Sequence, residues 1–403
     1  MRRSFLVLQG AASPFFARLS AALRERGHRV CRVNFCGGDW HYSEHVDEIN
    51  YSEESNLLAG WYDGLIKAEG FTDVLMFGDC RAVHRPIHAI AEALGLRVFV
   101  FEEGYVRPHW LTLERQGVNG RSSLSRDPAW YLERRAETPP SPIAGSTGYS
   151  LYRRAAHDII YRLANAVYSS RFPRYRSHRP SNGFVEYGGL AWRAIFQKKY
   201  EREANAVTRE LIDSQAAYYL LPLQLNSDAQ IIEHSKFSGI KDVILEVMQS
   251  FVSHAPDGAL LVIKNHPLDT GLINYRKFSS GLASSLGIAD RVRFIDAGHL
   301  PTLLESARGV VVVNSTVGLS ALHHRRPLMA LGDAIYSMAG LTWQASLDSF
   351  WREGQMPDVL LYHAFIDYVI EHTQINGDFY TDSGIAMAIS GAIRRLDVVE
   401  CGA

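Results

Sequence analysis

Three short apolar runs, at residues 98–101, 260–263 and 310–313, each stop abruptly at a polar motif: Glu102-Glu103-Gly104, His266-Pro267 and Ser315-Thr316. Short, continuous runs of β-branched and aromatic residues read as strands buried on both faces, and such strands belong to parallel sheets flanked by helices. In open α/β sheets, ligands bind beyond the carboxyl ends of the strands, where helix starts also converge. Carboxylates, an imidazole and a hydroxyl pair at such ends are what a group-transfer site needs. The acid motif lies far from the other two in sequence, so a cleft between two domains would be needed to unite all three.

The intervening sequence agrees. Strands are expected at 4–8, 29–35, 73–77 and 97–101, with helices at 14–26, where Phe15, Phe16, Leu19, Ala22 and Leu23 share a face, and at 84–94. Residues 104–150 lose periodicity among prolines and glycines and read as loops. Residues 151–210 turn helical. A second series then begins, with strands at 218–223, 259–263, 291–295, 309–313 and 328–331 and helices at 241–253, 300–307 and from 319. The expectation is an α/β chain that is GT-B-like: two Rossmann-like domains facing a central cleft, with additional helices. The divisions expected are 1–210, with an arginine-rich helical insertion, then 211–345, then C-terminal helices at 346–403 that return to the first domain.

Length supports two domains, at about 150 residues each in 403. No apolar run reaches the ~18 residues of a membrane span. The run at 5–8 is broken at Gln9, which favours a first core strand over a signal peptide, and a cytoplasmic placement is expected. Cys31, Cys36, Cys80 and Cys401 show no CxxC pairing and are expected to be free. With 42 basic and 43 acidic side chains, no nucleic-acid partner is indicated.

Each motif has a plain structural reading beside the chemical one. Ser315-Thr316 is either a helix cap or a phosphate site, with Asn314 and Gly318 tilting it toward the latter. His266-Pro267, after Lys264 and Asn265, is either a loop or a fixed donor to a leaving group. Glu102 and Glu103 must point to opposite sides of an extended backbone, so one faces the cleft as general base while the other serves the scaffold, for instance by pairing with Arg107. Asp228, among Gln224, Asn226 and Gln230, is either turn chemistry or an ionised nucleophile.

The stretch Phe101-Glu102-Glu103-Gly104-Tyr105-Val106-Arg107-Pro108, with Phe77-Gly78-Asp79-Cys80-Arg81, His84-Arg85, Thr112-Leu113-Glu114, Gly117-Val118-Asn119-Gly120, Leu8-Gln9-Gly10 and Asn34-Phe35-Cys36-Gly37-Gly38-Asp39, resembles the capsule polysaccharide biosynthesis and export proteins, in their KpsS branch. The Glu-Glu-Gly-Tyr stretch is its most specific part. The resemblance implies a retaining β-Kdo transferase that moves Kdo from CMP-Kdo to lysophosphatidylglycerol by double displacement. It implies that His266, Pro267, Ser315, Thr316, Asn314, Lys264, Gln224, Gln9, Gly10 and Arg107 serve substrate binding, that Asp228 is the nucleophile, and that Glu102 or Glu103 is the acceptor base. No cofactor and no metal are expected. Cys36 stands where the pattern suggests asparagine.

Between 153 and 179 seven arginines meet one acid, Asp158. Arg153, Arg154, Arg171, Arg174 and Arg176 are expected to bind the inner face of the cytoplasmic membrane, at about 1 kcal/mol per basic residue near the surface; the plainer reading is a solvated helical face. Other capsule assembly and export proteins are expected partners. Two other functions fit the motifs: an inverting, sialyltransferase-like CMP-sugar transferase, and a non-catalytic capsule export adaptor.

Overall fold

A computed structural model describes residues 2–177, 183–226 and 229–398. In chain order its strands are β1 (Ser4–Val7), β2 (Arg29–Asn34), β3 (Glu48–Asn50), β4 (Asp73–Phe77), β5 (Arg97–Glu103), β6 (Trp110–Arg115), β7 (Tyr218–Pro222), β8 (Leu260–Lys264), β9 (Val292–Ile295), β10 (Gly309–Val312), β11 (Leu328–Ala330) and β12 (Gln374–Asn376). They form two sheets, ordered β12-β6-β5-β4-β1-β2-β3 and β11-β10-β7-β8-β9. The α/β class with two Rossmann-like units, expected from the alternation of short apolar runs and amphipathic helices, is the fold the chain adopts.

In the first sheet β1 to β5 pair in parallel, with Leu6 opposite Cys31 on one side and Val74 on the other. Side chains alternate across it. Phe5, Val7, Leu75, Phe99 and Phe101 enter one core with Phe15, Phe16 and Leu19 of the helix Phe15–Glu25. Leu6, Leu8, Val33, Val74, Met76, Val98 and Val100 enter the other. The buried carboxylate of Asp73 is clamped by Arg3 and, at 2.7 Å, by Arg97, so its charge is paired. The second sheet is wholly parallel. On one of its faces Tyr219, Leu221, Leu261, Ile263, Val311 and Val313 pack with the helix Ile240–His254.

Three expectations are corrected. The segment 104–150 is not all loop: β6 runs antiparallel to β5, with Leu111 and Leu113 buried, and Asp127 caps the helix Pro128–Arg134 by accepting from Ala129 N at 3.0 Å. β5 extends through Glu103, so the acid pair lies within the strand, with Glu102 opposite Thr112 and Glu103 opposite Leu111. The chain also divides elsewhere. One unit comprises Met1–Ser123, Pro140–His178 and Tyr368–Ala403, and the other Leu124–Pro139 and Arg179–Asp367. The long helix Gly183–Asp213 belongs with the second unit because Arg193 pairs with Asp269 at 3.1 Å and Asp296 at 3.3 Å. The helix Asp382–Val398 belongs with the first, where β12 adds antiparallel to β6.

Candidate active site

The residues singled out by sequence fall into two sets, one in each unit. In the first unit, the ends of β1, β4 and β5 gather Gln9, Gly10, Arg81 and the acid pair. Gly104 follows the pair because the chain turns tightly there: a β-carbon on it would stand 2.2 Å from the Trp110 carbonyl oxygen. Arg81 donates to Gln9 Oε1 at 3.1 Å and to the Gly10 carbonyl at 2.9 Å, fixing the β1 end to the β4 end. Sequence reasoning quoted Arg81 only within a motif and gave it no role.

Strand alternation divides Glu102 from Glu103. Glu103 follows Phe99 and Phe101 on the face covered by the C-terminal helix. There its Oε1 accepts from Tyr380 OH at 2.9 Å and pairs with Arg154 Nη1 at 3.3 Å, while Arg154 lies 5.2 Å over the Tyr380 ring. Burial opposes the Arg154 charge, but Tyr380 and Glu103 outweigh it and hold the guanidinium above its ordinary pKa. Burial and the Glu103 charge push the Tyr380 phenol well up. Glu102 follows Val98 and Val100 on the opposite face. Its Oε1 accepts from Glu103 N at 3.0 Å, and its Oε2 lies 3.2 Å from where a β-carbon on Gly78 would be. The expected partner Arg107 is exposed and donates instead to the Gly104 carbonyl at 3.2 Å.

One helix, Leu151–Val167, touches the carboxyl ends of several strands in this unit. Its Arg154 holds Glu103. Its Tyr161 donates to Asp39 Oδ1 at 2.7 Å, and Gln9 Nε2 donates to Asp39 Oδ2 at 3.0 Å. Gly37 and Gly38 permit that approach, since β-carbons there would collide with the Ala164 carbonyl and the Tyr161 ring. Cys36 is buried beside Tyr161 OH, with Sγ at 3.0 Å, and burial followed by the Asp39 charge drives its thiol pKa up. Cys31 and Cys80 are likewise free thiols, and Cys401 lies outside the described residues.

In the second unit, β7, β8 and β10 end on a framework of side-chain amides. Gln224 Nε2 donates to Asn314 Oδ1 at 3.1 Å, and Asn314 N donates back to Gln224 Oε1 at 3.3 Å. Buried Asn265, to which the sequence pattern assigns no role, donates to Asp296 Oδ1 at 2.8 Å and Asp269 Oδ2 at 3.2 Å, and accepts from His266 N at 2.9 Å. This fixes the His266-Pro267 turn, with Pro267 exposed. Leu268 N donates to His266 Nδ1 at 3.1 Å, so the neutral ring carries its proton on Nε2. Lys264 is buried. Burial first, then the Arg193 charge, holds its ammonium below its ordinary pKa.

Ser315 Oγ accepts from Val317 N at 3.2 Å, whereas Thr316, at the cap position of the helix Val317–His323, makes no side-chain cap bond. The space beside Gly318 is taken by Tyr336, not by a ligand: a β-carbon there would meet its hydroxyl at 2.2 Å. Asp228 lies outside the described residues, as does Arg179.

The arginines of the basic segment have assorted partners. Arg154 is turned inward. Arg153 lies 3.6 Å from Asp382, Arg162 pairs with Asp158 at 2.8 Å, Arg171 stacks 4.4 Å over Trp40, and Arg174 lies 3.3 Å from Glu53. Arg176 is exposed. Among the described residues no helix is long and apolar enough to cross a membrane.

Parallel-strand units with polar side chains ordered at their strand ends define an α/β protein of the class in which ligands bind beyond those ends. The chain belongs to the capsule polysaccharide biosynthesis protein family, whose model matches residues 72–380. It is 36% identical over 381 residues to the capsule polysaccharide export protein KpsS of Escherichia coli, covering 94% of this chain and 97% of that one. It is 31% identical over 390 residues to the capsule polysaccharide modification protein LipB of Neisseria meningitidis serogroup B, covering 94% and 92%. Among solved structures it is similar to Thermosulfurimonas dismutans KpsC, a beta Kdo 2,7 transferase, with a TM-score of 0.46 and 15% identity over 99% of this chain and 100% of that one.

Proposed function

We propose that this protein is a retaining β-Kdo transferase of capsule linker synthesis, moving Kdo from CMP-Kdo to lysophosphatidylglycerol at the inner face of the cytoplasmic membrane. Family membership supports the capsule role, and the residue motifs support the donor. The observation that carries the chemistry is the division of the acid pair. Glu103 lies beneath the C-terminal helix against Arg154 and Tyr380, whereas Glu102 lies on the opposite face beside Gly78 at the strand end, and this division supports Glu102 as the acceptor base.

The proposed course has two displacements. The Asp228 carboxylate attacks the anomeric carbon, and the bond to the phosphate oxygen breaks with its electron pair leaving on CMP. His266 Nε2, the Lys264 ammonium and the hydroxyls of Ser315 and Thr316 stabilise that phosphate, so neither a metal nor a cofactor is called on. An acceptor glycerol hydroxyl then gives its proton to Glu102 and attacks the same carbon, releasing Asp228. Two inversions give retention.

The test is incubation of the purified protein with CMP-Kdo and a lysophosphatidylglycerol analogue, following CMP release and lipid mass. The expected result is a Kdo-lipid product with retained configuration, lost in Asp228→Ala. No transfer by the native protein overturns the reading. Full transfer by Asp228→Ala replaces the covalent route with an inverting, sialyltransferase-like one, and lipid-glycan binding without CMP release marks an adaptor.

A further inference from the structure

The helix Leu151–Val167 is amphipathic in the reverse sense for a surface helix. Its inward side carries polar groups: Arg154 on Glu103, His157 against Tyr42 OH at 2.7 Å, Tyr161 on Asp39, and Asn165 Oδ1 accepting from Gly38 N at 2.7 Å. Its outward side carries Leu151, Tyr152, Ile159, Ile160, Leu163 and Val167, with Tyr152 89% and Val167 69% exposed. These recur at helical spacing and would be taken from sequence as a core-facing stripe. Apart from Arg153, every exposed side chain of the helix is apolar or tyrosine.

A continuous apolar stripe left in water marks an interaction surface. Charge argues for its occupant. The helix itself shows no exposed acid, since Asp158 is half-buried against Arg162, and exposed Arg171 and Arg176 lie beyond its end, while Arg153 and Arg174 add basic groups that also reach the exposed acids Asp382 and Glu53. Apolar side chains at the centre and basic ones at the margins match the acyl boundary and anionic headgroups of a bilayer, into which such a helix lies parallel to the surface.

We infer that the outward face of Leu151–Val167 is an interfacial membrane-docking surface for anionic phospholipid bilayers. The apolar stripe, rather than the arginines alone, supplies the binding. The inward face of the same helix holds Glu103 at the β5 end, through Arg154, and Gln9 and Asp39 beyond β1 and β2, through Tyr161. Docking therefore sets the Glu102 end of the sheet close beneath the headgroups, where a lipid-borne hydroxyl is presented. This deepens the lipid-acceptor reading above and rests on it only for what the docked membrane delivers.

The experiment is flotation of the full chain with phosphatidylcholine vesicles, with and without phosphatidylglycerol, in the absence of CMP-Kdo. Failure of the transfer chemistry and failure of docking are thus read separately. The native protein is expected to float with the anionic vesicles. Ile159→Ser/Leu163→Ser, with an unchanged circular dichroism spectrum, is expected to lower the bound fraction about tenfold. Ile195→Ser, an exposed apolar position on the helix of the second unit, is expected to leave it unchanged. Equal binding by the double variant, or equal loss in Ile195→Ser, overturns the proposal. So does a native dimer that Ile159→Ser/Leu163→Ser dissociates without any vesicle binding, because the stripe is then a protein interface.

Discussion

The carboxyl ends of the two sheets differ in whether a buried ammonium accompanies their fixed side chains. In the first unit the fixed groups are anions: Glu103 is held by Arg154 and Tyr380, Asp39 by Gln9 and Tyr161, and Glu114 by Tyr105 at 2.5 Å and by Ser122. In the second unit the amides of Gln224 and Asn314 bond each other, Asn265 bonds the carboxylates of Asp269 and Asp296, which Arg193 also holds, and a buried ammonium, Lys264, lies at the same strand end. An end built on satisfied carboxylates suits a proton acceptor, because its negative charges are placed before substrate arrives. An end with a desolvated cation and a hydroxyl not spent on capping suits a phosphate. The difference supports the proposed division, with acceptor chemistry at one sheet and leaving-group chemistry at the other.

The strongest way to break that assignment is to neutralise the two acids separately. Glu102→Gln removes the base while keeping the side chain's shape and an oxygen to accept from Glu103 N, so transfer should fall about 10²–10⁴-fold. Glu103→Gln removes the partner of half-buried Arg154, which should cost about 1–3 kcal/mol of stability and lower transfer less. Rates from CMP release and unfolding free energies from denaturant titration check both. A larger rate loss for Glu103→Gln than for Glu102→Gln would exchange the roles and sink the division.

That division was half legible in the sequence. Adjacent positions on a strand must face opposite ways, so the pair had to split. Which way it split depended on Tyr380, 277 positions along the chain, and on Arg154, neither of which a local pattern reveals. The strands of both sheets were legible because their runs are continuous and apolar, and β4 falls where its run predicts. β6 was not, because its six residues sit between a proline-containing turn and glycines, and its pairing with β5 is a tertiary fact. Three-residue β3 and β12 were also missed, being too short for a period to show and flanked by polar residues rather than a continuous apolar run. The arginine cluster was visible as charge, but its helical phase was misleading: Arg154 points inward and the apolar stripe outward, so both faces carry the wrong residues for a water-facing helix. At the other end, the Ser-Thr motif was visible, yet which hydroxyl is spent on the backbone required geometry.

A smaller effect sharpens the second half of the comparison. Burial disfavours the Lys264 ammonium, so its folded pKa lies below the ordinary 10.5 and the folded chain binds that proton less tightly than the unfolded one. Below the folded pKa both states carry the proton and the cost of burial is fully present. As pH rises from the lowered folded value toward 10.5 the cost is relieved, and above 10.5 it is gone. Lys264→Met should therefore be more stable than the native protein at pH 7, with the difference shrinking toward pH 10.5, while its affinity for CMP falls. Thermal melts of both proteins across that range, with calorimetric titration of CMP, are the measurements. A variant less stable at pH 7, or one that binds CMP as well as the native protein, removes Lys264 from the phosphate end.

The smallest expected effect separates the two hydroxyls after β10. Ser315 Oγ receives the Val317 N–H, so Ser315→Ala should cost about 0.5–2 kcal/mol in the manner of a lost helix cap. Thr316 makes no such bond, and Thr316→Val keeps its shape, so its stability should stay within about 0.5 kcal/mol of native. If the Thr316 hydroxyl serves phosphate instead, the same variant should weaken CMP binding by at least tenfold, the lower end of what a hydrogen bond to a charged group is worth. Denaturant titration and calorimetry of the two variants give four numbers whose pattern is the test. A stability loss in Thr316→Val equal to that in Ser315→Ala, with CMP affinity unchanged in both, would reduce the Ser-Thr pair to helix capping and leave His266 and Lys264 as the only leaving-group contacts of the second sheet.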